Sequence, residues 1–473
     1  MTISMNCLKE LLALDNDKPE FLHQATAILI NTASDKAGDS HWDVSKLTAL
    51  LIKLISVIDQ KLSEQMSLIL QHPDYQDLEA RWSSINNLIS VPFNKNRVKV
   101  KCLDYDWNVV SADVNLSPGL KYSQLYNKIG NNELNTLGGE PFGLMLVDHQ
   151  VSAELNDFSE YDDLYTLELL GALGQHCLCP IIMSPEDSFF GESDAKWLSD
   201  TQRVNKVING PDYLSWQKLR RVDSSRFLGL TLPKMKIREP YQNHTCGFVF
   251  NELMPENPDH YGLWGNAHFA FAATCIREFN RISWFGFLKS RWNDRLQGAV
   301  VNIPELATPH CWQYPEAKTR FFGHLAQFYA GQGFIPLSHS PLTDKYYFMD
   351  NHSVWQGPGG NDDKVLSLIQ TTLICCRVAH YLKVQIRELL GSFLSAVECE
   401  QYLSKWLSKY VSNVSSGNDE TLAKYPLRSA KVKVREAKAS PGEYVCEVSL
   451  QPQYQFDMFA GQIMLTTDLA ESA

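Results

Sequence analysis

The chain has 473 residues, 44% hydrophobic and 21% charged, with 43 Lys+Arg against 54 Asp+Glu. At roughly 150 residues per domain that length suggests two or three domains, and the composition excludes wholesale disorder and low-complexity scaffolds. A net charge of −11 argues against a chain whose main task is coating nucleic acid or anionic membrane.

No uncharged apolar run reaches the roughly 18 residues of a membrane span. The best candidate, Leu47 to Ile58, is short and carries Lys53. The first residues, MTISMNCLKELLAL, lack the basic start, apolar core and cleavage site of a signal peptide. The expectation is a soluble cytoplasmic protein without membrane insertion. Eleven cysteines, odd in number and without framework spacing, fit reduced structural thiols; Cys275 and the pair Cys375–Cys376 sit among apolar neighbours.

In chain order, residues 1–44 read as an N-terminal arm. Leu8, Leu11, Leu12 and Leu14 form a short amphipathic stretch, and a second apolar stretch runs from Phe21 to Ile30. From Ser45 the pattern is strongly helical: Leu47, Leu50, Leu51, Leu54, Ile58, Leu62 and Met66 recur at three- and four-residue spacing. His72–Pro73 stops this helix, and Leu78, Trp82, Ile85 and Leu88 mark a second one, so the pair reads as a helical hairpin. Both this stripe and the one between Val365 and Tyr410 look too extensive for a single chain to bury.

Val98, Val100 and Cys102 alternate with Arg97, Lys99 and Lys101, which predicts a half-buried strand. Leu144–Asp148 predicts a buried strand, Leu164–Leu173 a helix, and Cys177–Met183 another strand. That order predicts a βαβ unit with parallel pairing. Phe227–Leu232 adds a strand and Ala267–Phe279 a helix. Residues 296–365 give no clear pattern. Two long helices between Val365 and Tyr410, broken near Gly391–Ser392, precede strands at Ala430–Val434, Tyr444–Leu450 and Ile463–Thr467, with a turn at Ser440–Pro441–Gly442.

A search for chemistry returns little. The glycines at 138–143 precede a strand and lack the lysine of a phosphate loop, so they read as a tight turn. His176–Cys179, His244–Cys246 and His310–Cys311 lack zinc-site spacing. There is no G-x-S-x-G elbow. Glu278, Glu388 and Glu398 fit helix-surface ion pairs, and Asp223–Arg226 fits a turn with side-chain-to-backbone bonds. No catalytic residue, metal or cofactor is expected. Between Lys424 and Lys438 stand six Lys/Arg and one glutamate, without the interleaved aromatics that would stack bases. Lys431, Lys433 and Arg435 alternate with Val432 and Val434, which predicts a charged strand face that guards against edge pairing or selects a partner.

Eight strings in order then resemble one family, the large sheath subunit of type VI secretion systems (TssC/VipB), related to contractile phage tail sheaths. They are Ile58 to Ile69 (IDQKLSEQMSLI), Leu78 to Trp82 (LEARW), Leu137 to Leu144 (LGGEPFGL), Asp223 to Pro233 (DSSRFLGLTLP), Leu263 to Phe271 (LWGNAHFAF), Arg377 to Leu390 (RVAHYLKVQIRELL), Tyr425 to Val432 (YPLRSAKV) and Pro452 to Phe456 (PQYQF).

The resemblance implies a non-enzymatic, mixed α/β (α+β) tail-sheath-like fold. A helical arm and hairpin would precede a central α/β sheet domain, with C-terminal helices and terminal β-strands after it. The domains would be the arm over 1–44, a sheath N-terminal domain over 45–365 and a C-terminal domain over 366–473. The implied partners are the small sheath subunit (TssB/VipA family), further copies of itself, the Hcp inner tube, an envelope-anchored baseplate and a ClpV-type ATPase, with no nucleic acid. It further implies strand exchange between protomers, for which Val432, Val434, Tyr444, Cys446, Val448 and Leu450 are the candidates, and an ATPase-recognition helix at Leu8, Leu11 and Leu12. The alternative is a sheath-like paralogue or phage-derived tail component with an accessory role. Residues 296–365 lack the family's strings apart from Gln297–Val300.

Overall fold

The computed structural model describes residues 23–28, 31, 44–153, 161–192, 197–243, 248–253, 262–286, 288, 300–301, 316–341, 345–389, 395–412, 423–436, 444–453 and 463–468. Leu8, Leu11 and Leu12, the breaking point at Gly391–Ser392, and the turn at Ser440–Gly442 lie outside these residues. Two compact units are formed: Met1–Glu79 with Glu239–Leu263, and Ala80–Arg238 with Trp264–Ala473.

In the first unit, helix α1 spans Val44–Leu70. It ends where the sequence demands, because Pro73 opens the next helix, α2 (Pro73–Ser90), at the one position where its missing N–H costs nothing. Asp74 lies in the first turn of α2, where a carboxylate complements the helix dipole. The unit also holds the antiparallel pair Gln242–Asn243 and Phe250–Asn251, and polar residues of α1 bond to Val249 and Leu253, which flank its second strand. Ser67 Oγ accepts from Leu253 N at 3.0 Å, Ser63 Oγ donates to the Val249 carbonyl at 3.5 Å, and Asp59 accepts from Val249 N at 3.4 Å.

The second unit holds a five-stranded sheet. Its strands are β1 (Met145–Val151), β2 (Ile181–Pro185), β3 (Leu228–Leu232), β4 (Ile335–Ser340) and β5 (Lys345–Phe348), in that spatial order. The first four run parallel, and β5 returns antiparallel to β4. The expected βαβ unit is β1, helix α3 (Asp163–Cys177) and β2. Asp162 caps α3 by accepting from Leu164 N at 2.9 Å, and Leu178 closes it in a left-handed conformation, φ 55°. On one sheet face Ile181, Met183, Leu228 and Leu230 join Leu164, Leu167, Leu170 and Leu173 of α3 in the main core. On the other, helix α4 (His268–Ile282) lies over β1, β2 and β3.

Three expectations need correction. The strand expected around Val98–Cys102 does not form: residues 98–106 belong to no strand, and Val100 and Cys102 are exposed. The alternating lysines are used differently, since Lys99 pairs with Glu140 and Lys101 with Glu133 at 2.7 Å, which pins the segment by charge. Second, β1 is half-buried, because it is the edge strand of the sheet. Third, the segment that gave no pattern supplies helix α5 (Gly323–Gly331) and both β4 and β5.

Glycines 138–139 do form a turn. Gly138 has φ +80°, and a Cβ on Gly139 would lie 2.3 Å from the Glu133 carbonyl oxygen.

Beyond the sheet, helices α6 (Ile369–Leu389) and α7 (Ala396–Ser408) lead to β6 (Leu427–Glu436), β7 (Tyr444–Pro452) and β8 (Ile463–Asp468). These three strands form a separate antiparallel sheet with β7 in the centre. Helix α7 packs on β6 and α6 on β7.

Candidate assembly surfaces

The first surface is on α1. Its apolar side chains divide unevenly: Leu50, Leu54 and Leu70 are buried, while Leu51, Ile52, Ile55, Ile58, Leu62, Met66 and Ile69 are exposed. Ile52 and Ile69 each keep 61% of their surface and Leu62 keeps 43%. Ile52, Ile55, Leu62, Met66 and Ile69 follow three-, four- and seven-residue spacing, the repeat of a helix-pairing seam. Leaving such a stripe in water forfeits its burial. Burying one large aliphatic side chain is worth about 1.5–3 kcal/mol.

The second surface is the terminal sheet. Val432 stands opposite Val448 and Val434 opposite Cys446, all four turned inward and less than a tenth exposed. Leu450, opposite Ala430, is fully buried, and Tyr444 pairs with Glu436 at the strand end. Burial pushes the Cys446 thiol up to about 12. The expected exchange residues are thus brought together, but on strands with unequal freedom. β7, which carries Tyr444, Cys446, Val448 and Leu450, is paired on both sides within the chain. The edges are β6 and β8.

The edge of β6 is partly occupied. At its start Leu427 exchanges bonds with residues 410–412, donating to the Tyr410 carbonyl at 3.3 Å and accepting from Ser412 N at 3.0 Å. Farther along, Glu400 of α7 accepts from Val434 N at 3.0 Å. The ladder alternation turns the N–H of every second residue away from β7.

One convergence was not legible in the sequence. Ser184 Oγ lies 3.0 Å from His268 Nδ1 and 2.9 Å from Thr231 Oγ1, and His268 Nε2 lies 3.5 Å from Asp148 Oδ1. Serine, histidine and aspartate in this order suggest a nucleophilic triad. Burial tells against that use: Ser184 is 3% and His268 0% exposed. Burial pushes the imidazole down to about 4, against an opposing pull from Asp148. Arg81 and Asn266 hold Asp148 from outside, at 3.2 and 2.8 Å. The cluster ties α4 to β1, β2 and β3.

The remaining candidates are structural. Among the described residues no group of three or more His, Cys, Asp or Glu is arranged to hold a metal ion. Cys177 and Cys179 are buried, and burial pushes the Cys177 thiol up to about 12. His244–Cys246 and His310–Cys311 lie outside the described residues. Asp223–Phe227 is a 3₁₀ turn in which Ser225 Oγ donates to the Leu219 carbonyl at 2.6 Å. Glu278 is buried against Arg281 at 2.7 Å. Among the described residues no helix is long and apolar enough to cross a membrane.

Comparison with known proteins places this arrangement. The family VipB, described as "EvpB/VC_A0108, tail sheath N-terminal domain", matches residues 52–355, and VipB_2, the "tail sheath gpW/gp25-like domain", matches 360–469. The type VI secretion system sheath protein TssC1 of Pseudomonas aeruginosa is 26% identical over 477 residues, covering 96% of this chain and 92% of that one. The sheath tail proteins of Desulfitobacterium hafniense and Listeria innocua align over 66% and 64% of this chain. They do so over 64% and 60% of their own lengths, at 8% and 10% identity and TM-scores of 0.27 and 0.30. With both family segments matched in order from 52 to 469, the chain belongs to the EvpB/VC_A0108 (VipB) tail sheath family and is a structural sheath protein.

Proposed function

We propose that this chain is the large subunit of a type VI secretion contractile sheath. In this reading it pairs with a small sheath subunit through the exposed seam of α1, and the heterodimers polymerise into a helical tube. That tube surrounds an inner Hcp tube, is attached to an envelope-anchored baseplate in the cytoplasm, contracts to propel the inner tube, and is dismantled by a ClpV-type ATPase. No catalytic role is assigned.

The observation that carries the pairing is the seam itself. α1 bonds to Val249 and Leu253 with Asp59, Ser63 and Ser67, buries Leu50, Leu54 and Leu70, and leaves Ile52, Ile55, Leu62, Met66 and Ile69 to water. A seam with heptad spacing fits an amphipathic helix of a partner. We further propose the division into arm, 45–365 and 366–473; the break between the two family segments, from 355 to 360, supports its second boundary.

The test is co-purification of tagged chain and small subunit from one host. Leu62→Glu with Met66→Glu should abolish the pair. Because both side chains are already exposed, the isolated chain should keep its secondary structure. Undiminished pairing by the double variant would remove α1 from the interface.

A further inference from the structure

The outer face of the terminal sheet is basic. While Val432 and Val434 turn inward, Lys431, Lys433 and Arg435 are exposed on the opposite face. Alternate residues of a strand are about 6.6 Å apart, so the three cations lie within roughly 14 Å of one another. Their counter-charge within the sheet is Glu447, which stands opposite Lys433 and is reached by Arg435 at 3.2 Å. Among the described residues neither Lys431 nor Lys433 closes an ion pair. Like charges held this close repel, and the buried valines already secure the strand, so the fold does not require them.

We propose that this face is an electrostatic docking surface for an acidic surface on a neighbouring copy of this chain. The proposal deepens the sheath reading and rests on it, since a helical polymer presents each face of a subunit to a different face of the next. Charge supports the choice of occupant. The chain carries −11 overall although 424–438 holds six Lys/Arg and one acid, so the rest of the sequence carries the acidic surplus. A nucleic acid is the less suitable occupant. The described outward side chains of β6 and β7 between Ser429 and Gln451 include no aromatic ring to stack a base; the exposed ring nearby, Tyr425, lies before β6 begins.

The test uses the full chain co-expressed with the small sheath subunit, in three versions: wild type, Lys431→Glu/Lys433→Glu/Arg435→Glu, and the same positions changed to Gln. Co-purification reports the heterodimer, and electron microscopy reports tube number and length. The reversed variant should keep the heterodimer and give about tenfold fewer tubes, as expected of like charges set face to face. Wild-type tubes should shorten as salt approaches about 1 M, where the screening length falls to about 3 Å, and the Gln variant should not respond.

Normal tubes from the reversed variant would overturn the proposal, because glutamates guard a strand edge as well as lysines do but cannot dock on acid. Normal tubes together with lost binding to heparin would overturn it in favour of a polyanion site. If the reversed chain loses its heterodimer, the Gln variant decides by its salt response. If the wild-type pair makes no tubes, the sheath reading fails. The docking proposal then stands or falls on whether the charge reversal abolishes wild-type self-association in sedimentation.

Discussion

The backbone N–H of Val434 donates to Oε2 of Glu400 at 3.0 Å, so a helix side chain occupies the outward edge of strand β6. Edge strands that expose such donors invite pairing with other chains. Here the position is filled within the chain by a group that another strand's carbonyl could replace.

Proline at 434 should therefore separate folding from assembly. It leaves the β7 ladder intact and removes one charge-assisted bond, costing about 1.5–3 kcal/mol. Val434→Pro is expected to retain the heterodimer and fail to form tubes, as seen by microscopy. Normal tubes would exclude this edge from strand exchange. Glu400→Ala opens the same edge and should raise aggregation of the isolated chain, measured by light scattering.

His268 sets a pH dependence. Its folded value of about 4 lies below the ordinary value of 6.5, so the unfolded chain binds the proton more readily. The stability from keeping this imidazole neutral is complete above about pH 6.5 and is lost as pH falls toward 4. The full contribution is on the order of 3 kcal/mol. Denaturant titrations between pH 7 and 4.5 should show this loss in the wild type and a flatter profile in His268→Gln. Equal slopes would mean that other groups dominate.

Arg220 is buried and, among the described residues, has no carboxylate partner. Its guanidinium donates to the carbonyls of Gly331 and Val354 at 2.8 and 3.3 Å and to Gln332 Oε1 at 3.3 Å. One side chain thus ties the segment before β3 to the end of α5 and to residue 354. Arg220→Met removes three bonds, one of them to the buried Val354 carbonyl, and should destabilise the chain by about 3 kcal/mol. Arg220→Lys should recover only part of this, since an ammonium lacks the planar fork. A thermal shift within 1 °C of wild type, where about 3 kcal/mol predicts several degrees, would refute the clamp.

The cysteines give a map of burial. Cys102 is exposed, whereas burial pushes the thiols of Cys177, Cys375 and Cys446 up to about 12. Alkylation of the native chain followed by mass spectrometry should label Cys102 first and these three only after unfolding. Early labelling of Cys446 would mean that the terminal sheet opens in solution.

The helices and the parallel unit were legible because their periods are strong. Leu164, Leu167, Leu170 and Leu173 mark one face of α3, and the runs at 144–148 and 177–183 are short and largely apolar, although Cys177 still belongs to α3 and the strand begins only at Ile181. β4 was not legible: it reads Ile-Pro-Leu-Ser-His-Ser, and its polar half, Ser338, His339 and Ser340, is buried all the same. The segment after Arg97 misled in the opposite sense. It has a strand's alternation, but its lysines find Glu133 and Glu140, which lie 32 and 41 residues onward and give no local signal.

For the assembly surfaces, spacing revealed both the α1 stripe and the charged strand face. Pairing order did not follow from spacing. Only the topology places β7 in the centre of its sheet and Glu400 on the edge of β6. The meeting of Ser184, His268 and Asp148 was equally hidden, since it joins two parallel strands to a helix more than 80 residues away.

The most direct test of the central claim is electron microscopy of this chain co-expressed with the small sheath subunit from its own locus. Hollow tubes with a cogwheel cross-section are expected in the high-molecular-weight fraction. A discrete soluble complex with no tubes would contradict that claim and mark the chain as an accessory paralogue.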